Sequence, residues 1–171
     1  MQDVETILQT YFGGEKSEAL LIMLAGAACL AGAVLLWFWV REPFAKGLAS
    51  GLFLMAALGL VVGGSVYFRT DAQVRELTQL QQADPATFAA EEGPRIRQVV
   101  RSFGWYRIGY ALAVLSALLL VFALGRPVHH GLAIGLLLLA ALGFTIDFYA
   151  ERRAVAYADA LQARGALVPA R

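Results

Sequence analysis

The 171-residue chain is 59% hydrophobic and only 16% charged, where soluble domains hold roughly 45–50% and about 25%. That surplus is too large for one globular core and points to a membrane protein. A formal charge of +1 leaves no basic surplus for nucleic acid, and one cysteine excludes an internal disulfide or a cysteine metal cluster.

Residues 1–14 place Val4, Ile7, Leu8, Tyr11 and Phe12 on one helical face, and Gly13-Gly14 is expected to stop that helix. Two positions stay open for it: an amphipathic helix lying in the membrane interface, or a helix docked on the polar segment further along. Asp3 and Glu5 on its polar face argue against charge attraction to anionic lipid. No basic start or cleavage site marks a signal peptide. A crossing helix needs about 20 apolar residues for roughly 30 Å of hydrocarbon. Four segments qualify: 18–41, 46–68, 104–125 and 128–150. Asp147 is the one ionisable group within their apolar stretches.

Between the second and third spans, residues 69–103 have helical texture. Val74, Leu77 and Leu80 extend the second helix past the membrane, and Asp84-Pro85 is a capped helix start. Gly93-Pro94 is expected to break that short helix and begin another, on which Ile96, Val99, Val100 and Phe103 share a face. The segment reads as a helical hairpin protruding from the bilayer. Residues 151–165 form a juxtamembrane helix with Ala154, Tyr157, Ala158 and Leu161 on one face, packing on the hairpin and ending at Gly165.

The chain repeats itself. Pro43 begins PFAKGLASGLFLMAALG and Pro127 begins PVHHGLAIGLLLLAALG, identical at eleven of seventeen positions at a constant offset of 84. The expected architecture is all-α: two repeated transmembrane hairpins, the protruding hairpin and the N-terminal amphipathic helix. Both copies cross twice, so their axis runs along the membrane normal. Gly47 and Gly51 match Gly131 and Gly135 in a small-xxx-small pattern, which suits close helix packing within the bundle. A homodimer face is the alternative.

An even number of spans puts both termini on one side. That side carries eleven basic residues against Arg41, Lys46 and Arg126 opposite, so the positive-inside rule favours cytoplasmic termini. Trp37, Trp39, Tyr67, Trp105 and Tyr149 lie at span ends, where aromatic rings anchor at headgroup level.

No nucleophile elbow, phosphate loop, dinucleotide fingerprint or metal-ligand spacing is present, and neither an enzyme nor a cofactor is expected. Cys29 stands alone in a span, and His129-His130 lacks a third ligand nearby. Asp147 lies about 5 Å inside its span, within reach of Arg107, Arg69 or Arg101 on neighbouring helices. The readings are a structural ion pair and a proton- or ion-coupling group.

The run FAAEEGPRIRQVVRSFGWYR, two spans and DFYAERRAVAY resembles a group of small four-span inner-membrane proteins of proteobacteria. Some of that group lie near toxin genes of contact-dependent secretion systems, where small membrane proteins serve as immunity partners. The resemblance covers roughly residues 80–160 and carries no functional residue. It implies a non-enzymatic inner-membrane protein that binds a membrane-active partner, such as a secreted toxin. The alternative is a small transporter or channel subunit built from the repeat, with Asp147 in its pathway.

Overall fold

In the computed structural model, which describes residues 3–165, the chain folds into four long helices. They are α1 (Val4–Trp39), α2 (Pro43–Ala83), α3 (Pro85–Leu119) and α4 (Pro127–Ala163). A π-helical turn, Leu120–Leu124, prolongs α3. Each helix is long and apolar enough to cross a bilayer, so this is a multi-pass membrane protein. At 1.5 Å per residue, helices of 35 to 41 residues reach about 50–60 Å. A bilayer core takes about 30 Å of that. The remainder stands outside as a helical head.

The helix boundaries follow local chemistry. Asp3 caps α1 by accepting from the Val4 amide at 2.7 Å. Pro43 and Pro127 open α2 and α4, where a missing amide hydrogen costs nothing. Asp84 separates α2 from α3 and accepts from the amides of Ala86 and Thr87, both at 3.1 Å. The Thr87 hydroxyl also donates to it at 2.6 Å and is the main cause that holds this carboxyl below its ordinary range. Gly125 turns the chain at φ +55°, and Gly165 ends the last helix at φ +64°.

Two expected breaks are absent. Helix α1 passes through Gly13-Gly14 without stopping, so among the described residues Val4 to Gly14 belong to the first long helix and form no separate interfacial one. Ile7, Leu8, Tyr11 and Phe12 are buried in the head, and that packing outweighs the helix cost of two glycines, about 1 kcal/mol each. Helix α3 passes through Gly93-Pro94. Gly93 has no Cβ to meet the proline ring, and the buried residues Glu92 and Ile96 hold both sides of the site. The protruding hairpin is therefore built from extensions of α2 and α3. The segment 151–165 is an extension of α4.

Helices α2 and α4 form the centre of the bundle. Helix α1 packs on α2 and α3 packs on α4, with lighter contacts across the diagonals. Positions 84 residues apart are buried together: Ala33 with Ala117, Ala49 with Ala133, Ala56 with Ala140. The same holds in the head for Phe12 with Ile96, Ala19 with Phe103, Thr70 with Ala154, and Leu77 with Leu161. Leu8 and Glu92 also match, which puts a charged residue where the first half has an apolar one.

Candidate functional site

Gly47, Gly51, Gly131 and Gly135 meet in one seam between α2 and α4. A Cβ on Gly47 would lie 1.9 Å from the Val128 carbonyl oxygen, and one on Gly131 would lie 2.0 Å from that of Phe44. A Cβ on Gly51 would lie 2.6 Å from the Gly135 Cα, and the reverse distance is 2.7 Å. The contacts are reciprocal, since Phe44 and Val128 are themselves 84 residues apart. This is isologous packing within one chain, and it occupies the glycine faces. Gly51→Leu or Gly135→Leu should destabilise the bundle by about 3 kcal/mol or more, because backbone must move to admit the side chain. The check is the melting temperature in detergent; unchanged melting in both variants would contradict the seam.

The two outer seams differ. Between α1 and α2, a Cβ on Gly26 would come 3.1 Å from the Leu60 nitrogen, and one on Gly63 would come 2.8 Å from the Ala19 oxygen. Residues 110 and 147 stand at the matching positions between α3 and α4. There the Tyr110 hydroxyl donates to the Asp147 carboxylate at 2.6 Å, and the Tyr110 ring lies over Gly143. One half closes backbone on backbone, and the other is spaced by a polar pair.

The expected arginine partners of Asp147 are engaged elsewhere or stand apart. Arg107 pairs with Glu151, and Arg69 pairs with Glu15 at 3.4 Å. Arg101 is exposed and makes no ion pair among the described residues. Arg153 crosses α1 beside Gly14 to reach Glu18. Asp147 is thus bonded to a neutral hydroxyl instead of a guanidinium. The repeat aligns Tyr110 with Gly26 and Asp147 with Gly63, which pack on different residues of the first half, so it gave no sign of this pairing.

The head holds a network that the sequence reading missed. Glu92 is 1% exposed. Arg95 donates to it through Nε at 2.5 Å and Nη2 at 2.6 Å, and the Tyr157 hydroxyl donates at 2.7 Å. Tyr11 stacks on Tyr157 at 4.2 Å between ring centroids. The Arg95 guanidinium lies 5.5 Å from the Phe12 ring centre. Residues of α3 and α4 therefore bond one buried carboxylate, and α1 packs on the side chains that bond it. An unpaired buried charge would cost several kcal/mol, and three charge-assisted bonds offset that here. Burial alone would lower the Arg95 pKa, but the bonded Glu92 carboxylate outweighs it and holds the value above normal.

Burial, with Glu92 second, pushes the Tyr157 hydroxyl far up; burial and then Glu15 push Tyr11 up to about 12. An unfolded tyrosine ionises near pH 10. Folding therefore favours the neutral phenols. Their stabilisation is complete below about pH 10 and is lost as pH rises toward the folded values. Melting temperature should fall between about pH 10 and 12 in the intact protein. Tyr157→Phe should lower the stability by about 2 kcal/mol at pH 8 and flatten the alkaline fall in melting temperature. A pH-independent melt up to pH 12 would contradict this account.

Comparison with protein-family models, with curated proteins and with solved structures finds no match to this chain.

Proposed function

We propose that this is a non-enzymatic inner-membrane protein of a bacterium that binds a membrane-active protein, with neutralisation of a secreted toxin as its role. The observation that carries this reading is the exposure of α3. Only 6% of its most apolar 18-residue window is buried, against 17%, 17% and 22% for the other three helices. Trp105, Gly109, Leu112, Ser116 and Leu119 follow steps of four and three along its exposed side. That is the spacing of a helix–helix seam. A Cβ on Gly109 would meet nothing within 4 Å, so no helix among the described residues uses the close approach it allows. In lipid, small residues on an open face, here Gly109 and Ser116, let another helix approach closely. Residues 80–160 resemble small four-span inner-membrane proteins, some of which lie near toxin genes, and that resemblance suggests a toxin as the owner of the docking helix.

Expression of the protein should protect cells from its cognate membrane toxin. Gly109→Leu combined with Ser116→Leu should abolish protection while leaving the melting temperature unchanged, because both positions face outward. Protection should survive Asp147→Asn, since an amide still accepts from Tyr110. Protection intact in the double variant would refute the docking face. The Tyr110–Asp147 bond favours a second reading, a transporter with Asp147 in its pathway. Proton-dependent flux in proteoliposomes, lost in Asp147→Asn, would establish that reading in place of the first.

The reciprocal seam and the paired burial support duplication of one two-helix unit, with parallel copies about an axis along the membrane normal. The charge distribution supports a cytoplasmic head. After Cys29→Ala, Gln82→Cys should react with a membrane-impermeant maleimide only in permeabilised cells, and His130→Cys should react in intact cells. The reverse pattern would put the head outside.

A further inference from the structure

Gly13 and Gly14 both weaken helix α1, and only one has a packing reason. Gly14 makes room for the Arg153 side chain, whose Cδ would lie 2.8 Å from an added Cβ. A Cβ on Gly13 would meet nothing within 4 Å. Gly13 instead walls an open groove of about 340 Å³ between α1 and α2, with Gln9, Lys16, Asp71 and Arg75 around it. Lys16 pairs with Asp71 at 2.6 Å and lies 5.0 Å from the Tyr67 ring centre. Tyr67 closes the apolar stretch of α2, so the groove sits at headgroup depth in the leaflet beside the head.

Below the groove the same helix faces turn apolar. Steps of four from Lys16 lead to Leu20 and Leu24, which are 42% and 59% exposed. On α2, the face of Arg75 and Asp71 continues to Gly64, where a Cβ would again meet nothing within 4 Å. By helical spacing the polar slot continues toward the membrane as an apolar furrow, along which Gly64 carries no side chain. Lys16 and Arg75 outnumber Asp71, leaving one positive charge in the slot, and Arg75 is exposed with no ion-pair partner among the described residues. The second half supplies an internal control. At 84 residues' distance, Arg97 stands for Gly13, Phe148 for Gly64 and Asp159 for Arg75. Bulk replaces both open glycines there, and the net positive charge is gone, since Arg97 and Asp159 cancel.

We propose that the furrow along the α1/α2 seam is a binding site for one anionic phospholipid, its phosphate held by Arg75 and Lys16 and an acyl chain lying over Gly64. Headgroup charge complements the slot, chain shape complements the furrow, and the first half alone offers both. The site rests on the four helices crossing a bilayer and is independent of the partner-binding reading. Native mass spectrometry of the full-length protein, titrated in detergent with dioleoylphosphatidylglycerol or dioleoylphosphatidylcholine, tests it. One phosphatidylglycerol should be retained per chain in preference to phosphatidylcholine. Arg75→Gln should weaken its retention about fivefold, the effect of one basic side chain at a membrane surface. Gly64→Leu should remove the chain slot and most of the retention, and Arg97→Gln should change nothing. Equal retention of the two lipids, or undiminished retention in Arg75→Gln, would overturn the proposal. Arg75 is exposed and packs no core, so its variant decides the matter even where Gly64→Leu lowers stability.

Discussion

The backbones of α2 and α4 touch with no side chain between them, and the rest of the architecture hangs from that contact. In lipid there is no hydrophobic force to drive apolar helices together, so association depends on close van der Waals approach. Glycine at 47, 51, 131 and 135 removes the atoms that would hold the helices apart. Pro43 and Pro127 start both helices at equivalent points, which sets their register at one membrane face. Helices α1 and α3 are then left to the outside. The length of all four carries their far ends into water, where an aromatic and aliphatic core forms around Phe12, Phe88 and Ile96.

Upon this near-symmetric frame the second half carries polar substitutions that the first lacks. Glu92 is buried where Leu8 stands in the first half, and Arg95 stands opposite Tyr11 in the alignment. Tyr110 and Asp147 replace Gly26 and Gly63. Each added polar group has a bonded partner: Glu92 with Arg95 and Tyr157, Asp147 with Tyr110. The consequence is mechanical. The α1/α2 seam is shut by backbone contact, while α3 is tied to α4 through the Tyr110–Asp147 hydrogen bond and the Arg107–Glu151 ion pair. Ion pairs also join α1 to its neighbour α2, Lys16 to Asp71 and Glu15 to Arg69, so what sets α3 apart is the Tyr110–Asp147 bond in place of close backbone contact.

The sequence read well where a single helix decides the outcome. The four spans, the Asp84-Pro85 boundary and the terminal Gly165 follow from hydropathy, capping and left-handed geometry, all of them local. It read poorly where tertiary packing overrides local preference. Gly13-Gly14 and Gly93-Pro94 carry strong stop signals, yet burial of Tyr11, Phe12, Glu92 and Ile96 keeps both helices running. Side-chain partners were the least legible. Asp147 had three arginines within plausible reach, and nothing in spacing along the chain reveals that Glu151 and Glu15 engage two of them. Nothing in the sequence singled out Glu92, because its buried bonding depends on Tyr157, 65 residues away.

The central claim is that α2 and α4 meet backbone to backbone inside one chain. Solid-state NMR of the unaltered protein in lipid bilayers, with glycine labelled at ¹³Cα, measures it directly. The account predicts a short-range Cα–Cα cross-peak between Gly51 and Gly135 that persists when labelled protein is diluted with unlabelled chains. An absent cross-peak, or one that vanishes on dilution and so reports contact between separate chains, would contradict it.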